Sequence, residues 1–307
     1  MQHFISIGDS SVDELQHLFD VAISLRQQRT SGVANDPILA GKTLAMVFEK
    51  KSLRTRVSFQ QAMYDLGGSA INLARDEIGL GERESAADIV RVLSGMVHGM
   101  CARVFEHEKL LELAEHSDIP VINALSDESH PCQALADALT IMDEFGRDVA
   151  GRTVAYVGDG NNVARSLAAI CGRLGMNFVI ASPPGYELDA ASIERVAAQA
   201  PKTRIEMTDN ASEAVRSADV IYTDTWVSMG QETEKESRKA LFADYQVNQK
   251  LLAEAADHAI VLHCLPAYRG MEISDEVIEG PASRVFAQAH NRLHAQKGLL
   301  AVLMGGA

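Results

Sequence analysis

Two hydroxyl and two guanidinium side chains lie close enough in sequence to do chemistry in Ser52-Leu53-Arg54-Thr55-Arg56. This run joins an apolar stretch to the start of a predicted helix. A helix N-terminus attracts anions through its unpaired backbone N–H groups and its dipole, and the two arginines and two hydroxyls add further donors. The pattern therefore favours a phosphate or an acyl phosphate. The alternative is an ordinary helix start, with Ser52 as the N-cap and solvated arginines.

A second group is His130-Pro131-Cys132-Gln133. Proline is favoured at the first position of a helix, so an imidazole and an amide are predicted at one helix end, where both can bind a polar ligand. The alternative is a capping histidine beside a buried cysteine. No metal site is predicted, because the Cys and His residues here and at 263–264 lack ligand spacing and no H-E-x-x-H occurs.

The turn Gly158-Asp159-Gly160-Asn161-Asn162 has the start of a dinucleotide-binding pattern. However, the third glycine of G-x-G-x-x-G would fall at Val163, and the next strand ends without the acid that binds ribose. No G-x-x-x-x-G-K-[ST] loop occurs either. We interpret the turn as a tight strand-to-helix connection with asparagine caps, in which Asn162 can also contact a ligand.

Two further motifs follow predicted strands in the second half of the chain. In Asp224-Thr225-Trp226-Val227-Ser228-Met229-Gly230 a carboxylate suits an ammonium group, and a polar loop with a glycine suits a lid. The alternative is a surface loop before an amphipathic helix. In His263-Cys264-Leu265-Pro266 the thiol could be a nucleophile, a proton acceptor or packing. Arg292, placed at the start of the last predicted helix, is by itself a surface charge.

The composition limits the kinds of partner. The chain has 307 residues and a formal net charge of -14, so a broad surface for nucleic acid or for an anionic membrane is not expected. Four scattered cysteines without a C-x-x-C pair indicate reduced thiols. Because no window reaches the roughly 18 apolar residues of a membrane span, we expect a cytoplasmic enzyme.

Short apolar runs alternate with longer amphipathic stretches, which is typical of βαβ units. The sequence predicts two doubly wound parallel-sheet α/β domains, a hinge near residues 138–150 and an active site in the cleft between the domains. Ligands of such sheets bind at the carboxyl ends of strands. Strands are predicted at 43–48, 101–105, 120–123, 153–157, 220–223, 259–262 and 284–287, and helices at about 52–67, 131–145 and 291–304.

Four of these groups, at 52–56, 130–133, 224–230 and 263–266, resemble in this order the motifs of the ornithine carbamoyltransferase family. The resemblance covers nearly the whole chain, from Phe48-Glu49-Lys50 onward. The first two motifs are shared by carbamoyltransferases generally. The last two indicate ornithine, because the aspartate enzymes carry other residues there. The resemblance implies transfer of a carbamoyl group from carbamoyl phosphate to the δ-amine of L-ornithine, without a cofactor, by a homotrimer or a multiple of trimers. The reaction belongs to arginine metabolism, and because synthesis and breakdown use the same chemistry, arginine biosynthesis and arginine breakdown both stay open here.

The resemblance also implies site residues. Residues 1–140 would bind carbamoyl phosphate, with a terminal helix at about 291–307 packed back on them, and residues 141–290 would bind ornithine. Carbamoyl phosphate would contact Ser52, the Leu53 backbone, Arg54, Thr55, Arg103, His130, Gln133, Cys264, Leu265 and Arg292. Ornithine would contact Asn162, Asp224, Ser228 and the Met229 backbone. The catalytic residues would be Arg103, His130, Asp224 and Cys264. Leu53 occupies a position that is often polar in the family.

The chemistry suits these residues. The δ-amine must lose a proton before it attacks the carbonyl carbon, and the resulting oxyanion could be stabilised by Arg103, His130 and Thr55. Carbamoyl phosphate is expected to bind first, after which ornithine would draw residues 228–230 shut.

Three alternatives remain at this point. The first is a carbamoyltransferase for another amine, such as putrescine or N-acylornithine. The second is a non-catalytic binding protein. The third is an NAD-dependent oxidoreductase, which Val163 disfavours.

Overall fold

A computed structural model of the chain describes residues 1–81, 83–200, 203–227 and 232–306. The chain forms two compact units. The first unit contains Met1–Ala136 and the residues from His290 onward, and the second contains Asp137–Ala289. Each unit is built on a parallel sheet with helices, which confirms the predicted fold class. None of the helices among the described residues is long and apolar enough to cross a membrane.

The first unit has a four-stranded parallel sheet in the order β2-β1-β3-β4. Its strands are β1 (Thr43–Phe48), β2 (Ser69–Ala74), β3 (Gly99–Arg103) and β4 (Val121–Leu125). The helices that belong to it or begin in it are α1 (Val12–Thr30), α2 (Leu53–Asp65), α3 (Arg75–Ile78), α4 (Ala86–Ser94), α5 (His107–Glu115) and α6 (Pro131–Phe145), with a short 3-10 helix at Ile7–Asp9. The central strand β3 is buried throughout, as expected of a parallel strand covered on both faces.

Helix α2 begins and ends where the sequence predicted. Ser52 is its N-cap, and the chain leaves the helix through Gly67, whose φ of +80° is easily adopted by glycine. The close approach of a neighbouring loop also requires glycine here, because a Cβ on Gly67 would lie 2.6 Å from the Cβ of Pro37. The turn at Gly67 therefore fixes the end of α2, and the Ser52 cap fixes its start.

The second unit has a five-stranded parallel sheet in the order β7-β6-β5-β8-β9. Its strands are β5 (Thr153–Val157), β6 (Asn177–Ala181), β7 (Ile205–Thr208), β8 (Val220–Thr223) and β9 (Ile260–His263). Its helices are α7 (Asn162–Leu174), α8 (Ala190–Gln199), α9 (Ala211–Val215), α10 (Lys235–Leu241), α11 (Gln249–Leu252) and α12 (Asp275–Ile278), with 3-10 turns at Glu232–Glu234 and Ala243–Tyr245.

The register of the second sheet aligns the ends of three strands. Val157 of β5 pairs with Thr223 of β8, which pairs with His263 of β9. The residues that come next in the chain, among them Asp224 and Cys264, therefore leave the sheet at one edge. This is the carboxyl edge, at which ligands bind in folds of this type.

The last helix, α13 (Val285–Leu300), followed by a π-helical turn at Ala301–Gly305, shows that the predicted strand at 284–287 was wrong. The extended pairing ends one residue earlier, where Ser283 bridges Val261 of β9. Burial at 285, 288 and 292 then follows helical spacing. A short apolar run alone cannot distinguish a strand from the first turn of a helix.

The later turns of α13 belong to the first unit. Gly298 packs against Ala22 of α1, where a Cβ would lie only 2.7 Å from the Cβ of Ala22. The fully buried ammonium group of Lys297 pairs with Asp65 at 2.5 Å and donates to the Asn35 side chain at 2.6 Å. A paired and hydrogen-bonded buried charge holds the helix in one orientation, because moving it would leave the charge uncompensated.

Candidate active site

The start of α2 combines a helix cap with a surface suited to an anion. The Ser52 hydroxyl accepts a hydrogen bond from the Thr55 backbone N–H at 3.3 Å, so the capping interpretation of Ser52 holds. Leu53 extends its side chain into solvent, and so its backbone is the part of it that could serve a ligand here. Arg54 is half-buried, whereas Arg56 is exposed. Of the two arginines, Arg54 is therefore placed to serve a site.

Arg292 is not the surface charge that its position in the sequence suggested. Its side chain is only 2% exposed, and it lies in the middle of α13 rather than at its start. Its guanidinium donates to the Gln133 Oε1 at 2.8 Å and to the Thr55 Oγ1 at 3.2 Å. Arg292 thus brings together residues from α2, α6 and α13, all of them in the first unit.

His130 stands among positive charges. Its pKa is well below the usual value of 6.5, first because the ring is buried and then because of the charges of Arg292, Arg103 and Arg54. These three arginines, which we call the arginine cluster, therefore lie around a neutral imidazole. Burial and the charge of Arg103 also lower the pKa of Lys50. Such a concentration of positive charge suits a dianionic ligand.

A buried hydrogen-bond network holds the turn directly before His130. The Asn123 side chain donates to the Ser129 hydroxyl at 2.8 Å and to the Ile5 carbonyl at 2.9 Å. The Ser126 hydroxyl accepts from the Ser129 backbone N–H at 3.2 Å. Sequence reasoning missed these residues, although the polar run directly before His130 was a signal for a structured turn.

In the second unit, the structure brings two predicted site residues together. The Cys264 thiol donates to the Asp224 Oδ1 at 2.9 Å. The other carboxylate oxygen accepts from the Asn161 Nδ2 at 3.0 Å, and the Thr225 backbone N–H donates to Oδ1 at 2.7 Å. Asp224 is buried and Cys264 is partly exposed. A carboxylate held this way presents a negative charge in a fixed direction, as recognition of an ammonium group requires.

Asn161 is a site residue that the sequence analysis did not single out. It caps α7, because its Oδ1 accepts from the backbone N–H groups of Val163 at 2.9 Å and Ala164 at 3.1 Å. Its amide nitrogen is then directed to Asp224. The predicted residue Asn162 is half-buried and is the first residue of α7. The pair of asparagines after the turn was the available signal.

Ser228 and Met229, predicted to bind ornithine, lie outside the described residues. The segment before them is anchored by Arg238, which donates to the Trp226 carbonyl at 3.1 Å and to Asp159 at 2.8 Å. Arg238 is buried, whereas the other charged residues of α10 are exposed. These two partners are 12 and 79 residues away in the chain and gave no local signal, whereas a third partner, Glu234, lies four residues before Arg238.

Cys264 and Leu265 form a turn at the end of β9, which we call the Cys264–Leu265 turn. Leu265 has a φ of 56°, a left-handed conformation that is uncommon outside glycine. Its backbone N–H donates to the His263 Nδ1 at 2.9 Å. On its other side, the His263 Nε2 lies 3.0 Å from the Glu272 Oε1. Glu272 was not predicted.

The side chains of Asp224, His263 and Cys264 lie close enough to suggest a metal ion, since their ligand atoms fall within 4.8 Å of one another. However, both ring nitrogens of His263 already have hydrogen-bond partners, and the thiol donates to Asp224. Ligation would require breaking these bonds. The geometry therefore favours a hydrogen-bonded turn over a metal centre.

Two family models match the chain. The carbamoyl-P binding domain of aspartate/ornithine carbamoyltransferase matches residues 2–143, and the Asp/Orn binding domain matches residues 150–303. An ornithine carbamoyltransferase of Methanocorpusculum labreanum is 49% identical over 98% of this chain and 97% of its own length. One from Bacillus subtilis is also 49% identical, over 98% of this chain and 93% of its own length.

Solved structures agree with this similarity. The ornithine carbamoyltransferase from Pyrococcus furiosus matches with a TM-score of 0.96 and 45% identity, covering 100% of this chain and 98% of that chain. The anabolic ornithine carbamoyltransferase from Campylobacter jejuni matches with a TM-score of 0.93 and 39% identity, covering all of both chains.

Proposed function

Because the chain belongs to the aspartate/ornithine carbamoyltransferase family, we propose that it transfers the carbamoyl group of carbamoyl phosphate to the δ-amine of L-ornithine. The products are L-citrulline and phosphate, and the reaction serves arginine biosynthesis. The observation that carries this function is the arginine cluster around a neutral His130. The full-length similarity to ornithine enzymes favours ornithine over putrescine or N-acylornithine.

Carbamoyl phosphate binds to the first unit in this proposal. Its phosphate accepts hydrogen bonds from the start of α2, and its charge is balanced by the arginine cluster. Arg103 and His130 face the carbonyl oxygen, and Gln133 is held in place by Arg292. The remaining proposed contacts come from Ser52, Leu53, Arg54, Thr55, Cys264 and Leu265.

Ornithine binds to the second unit. Asp224 and Ser228 bind its α-amino group, while Asn162 and the Met229 backbone bind its carboxylate. The hydrogen bonds from Cys264 and Asn161 support this role for Asp224, since they fix the direction of its carboxylate. The Cys264–Leu265 turn is placed beside the reacting δ-amine.

Transfer proceeds by addition and elimination. The δ-ammonium group loses a proton to solvent, which desolvation and nearby positive charge favour because both lower the pKa of an amine. The nitrogen lone pair then forms a bond to the carbonyl carbon, and the carbonyl oxygen becomes an oxyanion that Arg103, His130 and Thr55 stabilise as donors. The C–O bond to the phosphate breaks next, and the phosphate takes up a proton from the nitrogen.

We propose that carbamoyl phosphate binds first, because its charge offsets the mutual repulsion of the arginine cluster. Product inhibition and dead-end inhibition of initial rates test this order. Patterns that indicate random addition would contradict it.

The exposed face of α2 supports a homotrimer or a multiple of trimers. Leu53, Val57 and Tyr64 share one side of this helix and are 74%, 55% and 76% exposed. Large apolar side chains grouped on a surface indicate a protein partner. Sedimentation equilibrium should give three times the 33.2 kDa mass of the chain, or a multiple of that value. A monomer at micromolar concentration would contradict the proposal.

The four cysteines are free thiols, which supports a cytoplasmic location.

The function itself is tested with purified protein, carbamoyl phosphate and one amine at a time. We expect citrulline from L-ornithine, and at least about a hundredfold lower kcat/KM for putrescine, which lacks the groups that Asp224 and Asn162 bind. A higher kcat/KM for putrescine or for N-acylornithine would overturn the assignment of the acceptor. An absence of any carbamoylated product would overturn the activity.

A further inference from the structure

A buried carboxylate–imidazole pair lies directly behind the Cys264–Leu265 turn. His263 and Glu272 are both fully buried, and the His263 Nε2 is 3.0 Å from the Glu272 Oε1. On the opposite side of the ring, Nδ1 faces the backbone N–H of Leu265 at 2.9 Å. A backbone N–H can only donate, so Nδ1 must be the acceptor. The proton of the neutral ring is therefore on Nε2 and is donated to Glu272.

Glu272 is a costly residue to bury. Its Oε1 also accepts a hydrogen bond from the Tyr268 backbone N–H at 2.6 Å, but its Oε2 has no hydrogen-bond partner among the described residues. A buried polar atom without a partner requires an explanation, because an apolar side chain of similar size would usually pack at this position with less cost. The explanation that fits this geometry is control of the imidazole tautomer.

The tautomer in turn determines the backbone conformation of the turn. Leu265 adopts a left-handed conformation while its N–H is bonded to the His263 ring. If the ring proton moved to Nδ1, two donors would face each other and this hydrogen bond would be lost. The direction of the Leu265 carbonyl and of the neighbouring Cys264 thiol, which is bonded to Asp224, would then change.

We propose that Glu272 is a positioning residue for carbamoyl transfer, which acts through the tautomer of His263 to hold the Cys264–Leu265 turn. This inference rests on the proposed function, in which that turn lies beside the reacting amine. Because the Leu265 N–H is engaged, any backbone contact from Leu265 to a ligand is made by its carbonyl, which can accept a hydrogen bond from the amine. Glu272 itself touches no substrate in this arrangement.

Two substitutions of Glu272 separate its acceptor role from its charge and volume. Glu272→Met keeps the volume and removes the acceptor. It should lower kcat for citrulline formation about tenfold to a hundredfold, as loss of a partner that orients a functional histidine does in metal sites. The KM for carbamoyl phosphate should change less than about twofold, because the phosphate is held by the first unit. Glu272→Gln keeps an acceptor oxygen and should regain most of the lost rate.

The matched control is Glu276→Met, the same substitution at an exposed glutamate four residues later. It should leave kcat and both KM values at wild-type levels. A direct readout that needs no variant is 15N NMR of the histidine-labelled wild-type protein. The His263 signal should be that of a slowly exchanging imidazole with its proton on Nε2, and this signal should change in Glu272→Met.

Several outcomes would overturn the proposal. These are a His263 ring protonated on Nδ1 or on both nitrogens, a wild-type kcat in Glu272→Met, or a rate in Glu272→Gln as low as in Glu272→Met. A failure of the proposed function is recognised separately. In that case the wild-type protein forms no citrulline, while the NMR experiment still reports the tautomer.

Discussion

The two units solve opposite recognition problems with opposite chemistry. The first unit surrounds a neutral His130 with guanidinium groups such as that of Arg103, whose charge does not change in the physiological range of pH. The second unit presents the carboxylate of Asp224, directed by hydrogen bonds from Cys264 and Asn161. In the proposed function, permanent positive charge serves the anionic donor, whereas a directed negative charge serves the amino acid.

The largest effect on kcat/KM should come from removing a positive charge of the arginine cluster in the first unit. Arg103→Ala should lower kcat/KM at least a hundredfold, because one preorganised donor to the oxyanion is worth about 3 kcal/mol in the transition state. Arg54→Ala should have a similar effect. Steady-state kinetics measures the loss, and circular dichroism should show an intact fold. The control is Arg91→Ala on the exposed surface of α4, which should change nothing. Equal losses in Arg91→Ala and Arg103→Ala would contradict the assignment.

Removing the negative charge of the second unit should weaken the binding of one substrate, ornithine, and leave the binding of carbamoyl phosphate unchanged. Asp224→Asn should raise the KM for ornithine about thirtyfold or more, since truncating one partner of a buried charge pair costs at least about 2 kcal/mol. The KM for carbamoyl phosphate should stay within about twofold. The exposed Asp257→Asn serves as the control in the same unit. A parallel rise of both KM values would mean that Asp224 supports the fold rather than ornithine.

A smaller effect should show whether the Cys264 thiol acts as a hydrogen-bond donor or only packs. Cys264→Ala removes the donor to Asp224 and should lower kcat/KM for ornithine about tenfold, the value of one hydrogen bond to a charged group. Cys264→Ser keeps a donor and should retain more activity than Cys264→Ala. If the two variants were equally active, the bond to Asp224 would have no role in binding.

The smallest effect concerns stability and acid. The folded protein keeps His130 neutral, whereas in the unfolded chain the ring takes up a proton near pH 6.5. Lowering the pH below 6.5 therefore favours the unfolded chain, and this site contributes a slope of at most about 1.4 kcal/mol per pH unit. Urea unfolding of wild type and His130→Gln should be measured between about pH 5 and about pH 7.5, a range that includes the ordinary pKa of histidine. The loss of stability on acidification should be steeper in wild type. Equal slopes would contradict a neutral His130.

Much of the fold followed from local pattern. The predicted strands at 43–48, 153–157 and 220–223 coincide with β1, β5 and β8, because each is a short apolar run between turn residues. The helix starts near Ser52 and Pro131 were recognisable for the same reason, as cap and first-position residues. The error at 284–287 arose where an extended residue and a helix meet within one apolar run.

The motifs predicted which residues belong to the candidate site, whereas the residues that hold them in position could be identified only from the structure. Asp224 and Cys264 are 40 residues apart in sequence, and only the register of β8 and β9 brings them into contact. Glu272, Asn161 and Arg238 look like ordinary polar residues of loops or caps. Their roles come from partners distant in sequence or from burial, and neither can be read from composition or spacing.

The position of Arg292 has a consequence for synthesis of the chain on the ribosome. The side chains that it holds, Thr55 and Gln133, are translated early, but Arg292 itself emerges only after all of the second unit. Nascent domains generally fold in the order in which they leave the ribosome. In this chain the first unit begins to be synthesised first but is completed last. The second unit can therefore fold before the last helix of the first unit has been synthesised.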